Sequence, residues 1–144
     1  MLAGLFALTS AAQAGESCIS DKTSGQAMQV NIGVQTFNVS VAASEIERER
    51  GLSGRASLAA KSGMWFALPK PDWHGFWMQG MNFPIDLIWI SAEQRVLGAS
   101  SLQPCTGNPC PIHMPPNPVA YVLEINAGEF AGKTGDTATW HCTP

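Results

Sequence analysis

At 144 residues the chain has the length of one domain, enough to bury about two-thirds of the surface it would expose unfolded. Hydrophobic residues supply 45% of it and charged residues 13%, about half the usual charged share, which excludes a disordered chain and suits a compact β-rich domain. The net charge is −3 and no basic run occurs, so nucleic acid and anionic membrane surfaces are excluded as partners.

Residues 1–14, MLAGLFALTSAAQA, carry an apolar centre from Leu2 to Leu8 and end in Ala12-Gln13-Ala14, the small-x-small pattern of a secretory cleavage site. They read as a signal peptide, with residues 15–144 forming a single β-rich domain. The apolar run is far shorter than the roughly 20 residues that cross a bilayer. The expected product is soluble, monomeric and exported, periplasmic or secreted, with no membrane span. In that oxidising setting the four cysteines are expected as two disulfides, Cys18–Cys142 tying the two ends and Cys105–Cys110 closing a loop. Cys105, Cys110, His113 and Met114 could instead ligate a metal, but their C-x4-C-x2-H spacing matches zinc sites poorly, and no metal or other cofactor is expected.

From Met28 to Val41 apolar and polar residues alternate about Gly33, which predicts a two-stranded hairpin turning near Ile32–Gln35, with Val39 and Val41 facing inward. Ser44 followed by Glu47 is a capping box. It predicts a short helix ending near Gly51 or Gly54, with the Glu-Arg-Glu-Arg run at 47–50 as its solvated face. Residues 58–63 read as a connector with helical character. Gly63–Leu68 reads as a buried strand that Pro69 stops, and Pro69–Asp72 as an exposed turn.

Residues 73–90 hold three of the five tryptophans in an otherwise apolar stretch. Trp77, Met78, Phe83, Ile85, Leu87, Ile88, Trp89 and Ile90 would each forfeit roughly 1.5–3 kcal/mol if left in water, so the segment must be core. Pro84 has no N–H and interrupts it, predicting one strand at 75–79 and another at 85–91. The second is almost continuously apolar and is expected to be buried on both faces. Asp86 is its exception. After a turn at 91–94 comes a strand at 95–102.

Residues 103–118 contain six prolines and two cysteines and cannot be helix or central strand. They form a long loop stapled by its own disulfide, and long constrained loops commonly carry function. Tyr121–Ile125 is the next strand, with Glu124 a second acid inside an apolar run. Gly128–Gly132 reads as one helical turn, and a last strand ends near Trp140. The resulting fold class is mostly β, a compact sandwich or barrel-like single domain of seven or eight short strands with one or two short helices.

Several of these pieces recur together elsewhere. The ordered set Arg48-x-Arg50-Gly51-Leu52 with Arg55, Gly63-Met64-x-Phe66, Phe76-Trp77-Met78, Phe83-Pro84-Ile85-Asp86, the Pro-Cys loop at 104–111, Tyr121-Val122-Leu123-Glu124-x-x-x-Gly128 and Gly135-Asp136 resembles the domain of unknown function 192 family (uncharacterised protein family 0127) over roughly residues 40–140. Two positions depart from the family pattern: Ser53, where a Met commonly follows Gly-Leu, and Gln79, where Lys or Arg commonly follows Phe-Trp-Met. The resemblance implies a compact, mostly β, sandwich-like domain that is commonly exported, and no established reaction.

The chemistry-bearing candidates start with Asp86 and Glu124, because buried carboxylates are costly unless paired or hydrogen-bonded. Arg48, Arg50 and Arg55, or backbone amides, are their expected structural partners, locking the helix onto the sheet. Alternatively the two acids line a polar pocket beside Trp77 and Trp89, binding a sugar hydroxyl or serving as acid and base of a glycan hydrolase. Trp65 and Trp140 complete an aromatic set that is more often core than platform. Trp73 and His74, beside Pro71, are the best exposed candidates; with Trp77, Gln79 and His113 they form an expected binding rim next to the stapled loop. His74, His113 and His141 are isolated, and no catalytic triad spacing can be read among them. Copper held by Met64, Met78, Met81, Met114 and His113 is conceivable, but most of these methionines sit in packing contexts. No phosphate-cradling glycine loop, H-E-x-x-H or G-x-S-x-G occurs. The leading reading is an exported binding or accessory module for a small molecule, a saccharide or an envelope protein. A carboxylate-dependent hydrolase and a purely structural accessory protein stand as alternatives.

Overall fold

The alternation about Gly33 folds as a hairpin of β1 (Ala27–Ile32) and β2 (Gln35–Ala42), antiparallel with Ile32 opposite Gln35. This is a computed structural model, and it describes residues 27–143. Gly33 takes a left-handed φ of 59°, which costs glycine nothing and suits a tight hairpin. Every second residue of the pair, Met28, Val30, Ile32, Phe37, Val39 and Val41, is buried. The helix α1 (Glu45–Arg50) starts on the expected capping box: the Ser44 hydroxyl accepts from the Glu47 amide, and a Glu47 carboxylate oxygen accepts from the Ser44 amide at 2.9 Å.

The remaining strands are β3 (Ser62–Asp72), β4 (Ile85–Ile90), β5 (Val96–Leu102), β6 (Val119–Asn126) and β7 (Ala138–Cys142). They form one mixed sheet in the order β5-β4-β6-β3-β2-β1-β7. The β2–β3 pair is parallel and the others are antiparallel. The sheet does not close into a barrel, but its two edges touch at one end. There the Val96 amide donates to the Asp136 carbonyl and the Ala138 amide to the Gln94 carbonyl, at 2.9 and 2.8 Å.

Both faces of the central strands carry apolar side chains. Inside the curl, Trp65 packs against Tyr121 and Trp140 with ring centroids 5.3 and 4.9 Å away, alongside Ile88, Ile90, Leu123 and Ile125. On the outer face Met64, Phe66, Leu87, Trp89 and Val122 are covered by Leu52, Met78 and Met81 from the connecting segments. β4 is buried at all six positions, as its continuous apolar run requires.

Four local expectations need correction. β3 runs through Pro69 and Pro71 to Asp72, because β2 pairs with it only as far as Phe66 and its register against β6 shifts between Ala67 and Asp72. Beyond that point there is little ladder for a proline to break. The expected strand at 75–79 reduces to two isolated bridges, Phe76 with His113 and Gln79 with Cys105. Residues 58–63 form no helix, and the Leu58 and Ala59 carbonyls instead accept from the Asn126 side chain. Gly128–Gly132 forms no helical turn, since its amides are aimed at Asp86. The expected signal peptide and Cys18, with its pairing to Cys142, lie outside the described residues. Among the described residues, no helix is long and apolar enough to cross a membrane.

Candidate functional site

The two acids that stood out in apolar runs lie on neighbouring strands and point to opposite faces of the sheet. Glu124 on β6 is registered against Leu87 on β4 and therefore shares the outer face, whereas Asp86 follows the inner-face parity of Ile88 and Ile90. They do not share a cleft, so the acid–base pair expected of a hydrolase is not assembled. Neither is paired with a guanidinium among the described residues.

Asp86, 4% exposed, is fully supplied by its surroundings. One oxygen accepts from the Gly128 and Phe130 amides at 2.9 and 3.1 Å, and the other from the Ser101 hydroxyl at 2.6 Å. It pins the segment after β6 onto β4. Glu124, 6% exposed, has no such company: its Oε2 is buried without a hydrogen-bond partner. Burial pushes its carboxyl up to about 8, so the group is largely protonated at neutral pH.

Glu124 lies at the foot of a cavity of about 580 Å³ on the outer face. Phe66 of β3 shares the floor. One wall is α1 and the turn after it, where Gly51 takes a φ of 51°; a Cβ there would stand 3.4 Å from the Phe66 ring and 3.8 Å from Glu124 Oε2. The backbone thus passes close over the acid. The opposite wall is the 74–77 segment, where Phe76 meets Phe66 and Trp89 edge-on at 5.2 and 5.6 Å and Trp77 stands half exposed.

The stapled loop holds that second wall in place. Phe76 and His113 exchange backbone hydrogen bonds of 2.9 and 2.7 Å, and the Cys105–Cys110 disulfide is present as expected. Ile112 from this loop reaches the cavity. A Cβ on Gly75 would lie 2.4 Å from Ile112 Cγ2, so a side chain there would push the loop away.

The rim expected from sequence is therefore divided. His74 and Trp77 line the cavity. His113 and Gln79 act through their backbones, the Gln79 carbonyl accepting from the Ser53 hydroxyl at 2.7 Å. Trp73 is exposed outside the cavity. Arg48 does lock α1 to the sheet, but through the Ala43 and Ala67 carbonyls rather than an acid. Arg50 borders the cavity and, with Arg55, a second hollow of about 370 Å³ beside Ser40 and Met64. Sequence reasoning missed Phe66, Phe76, Leu52, Met81 and Ile112 as lining residues, since apolar residues at core spacing give no sign that one side faces a void. Cys105 and Cys110 are joined to each other, so they offer no thiolate to a metal. Met64, Met78 and Met81 are buried in the outer-face core, whereas Met114 is exposed.

These features define a β-domain built on one curled mixed sheet, with a cavity on its outer face. The chain belongs to the domain of unknown function 192 family, described as Uncharacterized ACR, whose family model matches residues 27–140. It is similar to a crystal structure of a protein of unknown function from Novosphingobium aromaticivorans, with 28% identity, a TM-score of 0.70, and 79% of this chain and 84% of that one covered. It is also similar to a Sinorhizobium meliloti protein described as "a putative transcription regulator", with 24% identity, a TM-score of 0.73, and 83% and 97% of the two chains covered; at that identity the likeness shows the fold alone. No curated protein matches the chain.

Proposed function

We propose that the protein is a binding module whose outer-face cavity takes up a small ligand with a largely apolar body. The observation that carries this reading is Glu124: a carboxyl lining the foot of an open cavity, with no group among the described residues to satisfy its buried Oε2. Buried carboxyls in folded domains are normally hydrogen-bonded, and one that lines a cavity without such partners is where a ligand supplies polar contact. Phe66, Phe76, Leu52 and Met81 offer the ligand apolar surface, and the stapled loop keeps the wall preorganised. A polyol fits this lining less well than a hydrophobic ligand with one polar end, because the floor offers a single polar group. That favours a small apolar molecule over a glycan among the ligands expected from the sequence.

A thermal-shift and native mass spectrometry survey of small aromatic and aliphatic amines, alcohols and acids tests the reading. A ligand held at about 100 times its Kd stabilises by about 2.7 kcal/mol. Trp77→Ala, at a half-exposed wall position, should leave the unliganded melting temperature unchanged and weaken that ligand. If no compound stabilises the wild-type protein, or if Trp77→Ala binds every compound equally well, the cavity is not a binding site.

A further inference from the structure

We infer that the ligand of this cavity carries a cationic amine, seated with its ammonium against Glu124 and its apolar body against Phe66, Phe76 and Trp77. This rests on the binding role proposed above and specifies the chemistry that role would recognise.

The charge around the cavity points that way. On the α1 side its rim carries Glu45, Arg48, Glu49 and Arg50, two charges of each sign that cancel in sum. The opposite side contributes His74, whose Nε2 lies 3.0 Å from the Lys70 carbonyl, and the stapled loop contributes only Ile112. The titratable group left to set the sign of the floor is Glu124. Arg48 is occupied by two backbone carbonyls, so it is not directed at the floor. An anionic ligand head placed on the floor would meet the Glu124 carboxyl, while the Arg50 guanidinium stands at the rim among Glu45 and Glu49.

A cation there meets three favourable features. The carboxyl that lines the floor gains a donor from the cavity side, and in its ionised form it gains the counterion that burial otherwise denies it. The flanking Phe66, Phe76 and Trp77 rings present π faces and edges suited to an ammonium and its carbon body. The proton inventory closes: below the carboxyl's value of about 8 the Glu124 O–H bond breaks, its proton leaves to solvent, and the ammonium keeps its own protons. A neutral acceptor, such as an alcohol, would bind the protonated carboxyl without releasing anything.

Three isosteric probes separate these outcomes: phenethylamine, phenethyl alcohol and phenylacetate, titrated calorimetrically in buffers of different ionisation heat. Phenethylamine should bind at least about tenfold tighter than the alcohol and release about one proton at neutral pH. Its affinity should rise about tenfold per pH unit up to about 8 and then level. Glu124→Gln should reduce it to the affinity of the alcohol, while the alcohol binds both proteins alike. Proton release is read on the wild-type protein, so the test stands even if the variant fails to fold. Alcohol or phenylacetate binding as tightly as the amine, or amine binding without proton release, overturns the amine assignment and leaves the binding module intact. Binding of none of the three removes both.

Discussion

Asp86 and Glu124 make a controlled comparison within one sheet. Both are acids in apolar strands, both are more than nine-tenths buried, and they stand on adjacent strands. Asp86 receives two backbone amides and a hydroxyl, and Glu124 Oε2 receives nothing from the described residues. Burial therefore does not distinguish the two acids; the inventory of donors does. The inner-face acid fastens a turn, and the outer-face acid lines a cavity with one buried oxygen left unsatisfied among the described residues.

The largest effect should come from breaking the satisfied member. Asp86→Ala leaves the Gly128 and Phe130 amides and the Ser101 hydroxyl without their acceptor, and urea unfolding should show a loss of about 3–5 kcal/mol. A loss below about 1 kcal/mol would mean that water replaces the carboxylate and that the two acids differ less than their partners suggest.

The unsatisfied member should act through pH. Its carboxyl is raised from 4.5 to about 8, so between those values the folded protein keeps a proton that the unfolded chain has released. Stability accordingly falls as pH rises through that window and levels above it, by a few kcal/mol in all. Glu124→Gln should flatten this part of the profile and match or exceed wild-type stability at the alkaline end. Parallel wild-type and variant curves from chemical denaturation across the window would show that Glu124 is solvated after all.

The smallest effect separates Glu124 from the helix above it. Arg50 borders the same cavity without a partner among the described residues, so Arg50→Ala should change stability by no more than about 0.5 kcal/mol. It should also leave the Glu124 midpoint, followed by carboxyl NMR, in place. A midpoint that rises in Arg50→Ala would reveal a long-range pairing and narrow the contrast with Asp86.

Much of this was legible in the chain. The Gly33 hairpin, the Ser44–Glu47 cap, the doubly buried β4 and the Cys105–Cys110 staple follow from local patterns of spacing, and the structure reproduces them. Both acids announced themselves as anomalies in apolar runs. Their fates did not, because the two amide donors to Asp86 come from a turn more than forty residues away and the cavity over Glu124 depends on how Gly51, Phe76 and Ile112 meet across three segments. The strand's run through Pro69 escapes sequence for the same reason: whether a proline ends a strand depends on the neighbour, and β2 stops short of it. Period-2 alternation assigns a residue to a face but not to a partner.

The meeting of the two sheet edges has its own consequence. β5 and β7 would each offer an open row of amides and carbonyls to any passing chain, and at one end they bond to each other instead, through Gln94, Val96, Asp136 and Ala138. A strand flanked in this way is a poor template for edge-to-edge growth. At that end the junction is closed by backbone groups and by Arg95, whose guanidinium donates to the Gly135 carbonyl and the Thr137 hydroxyl, so a charged side chain guards the same border.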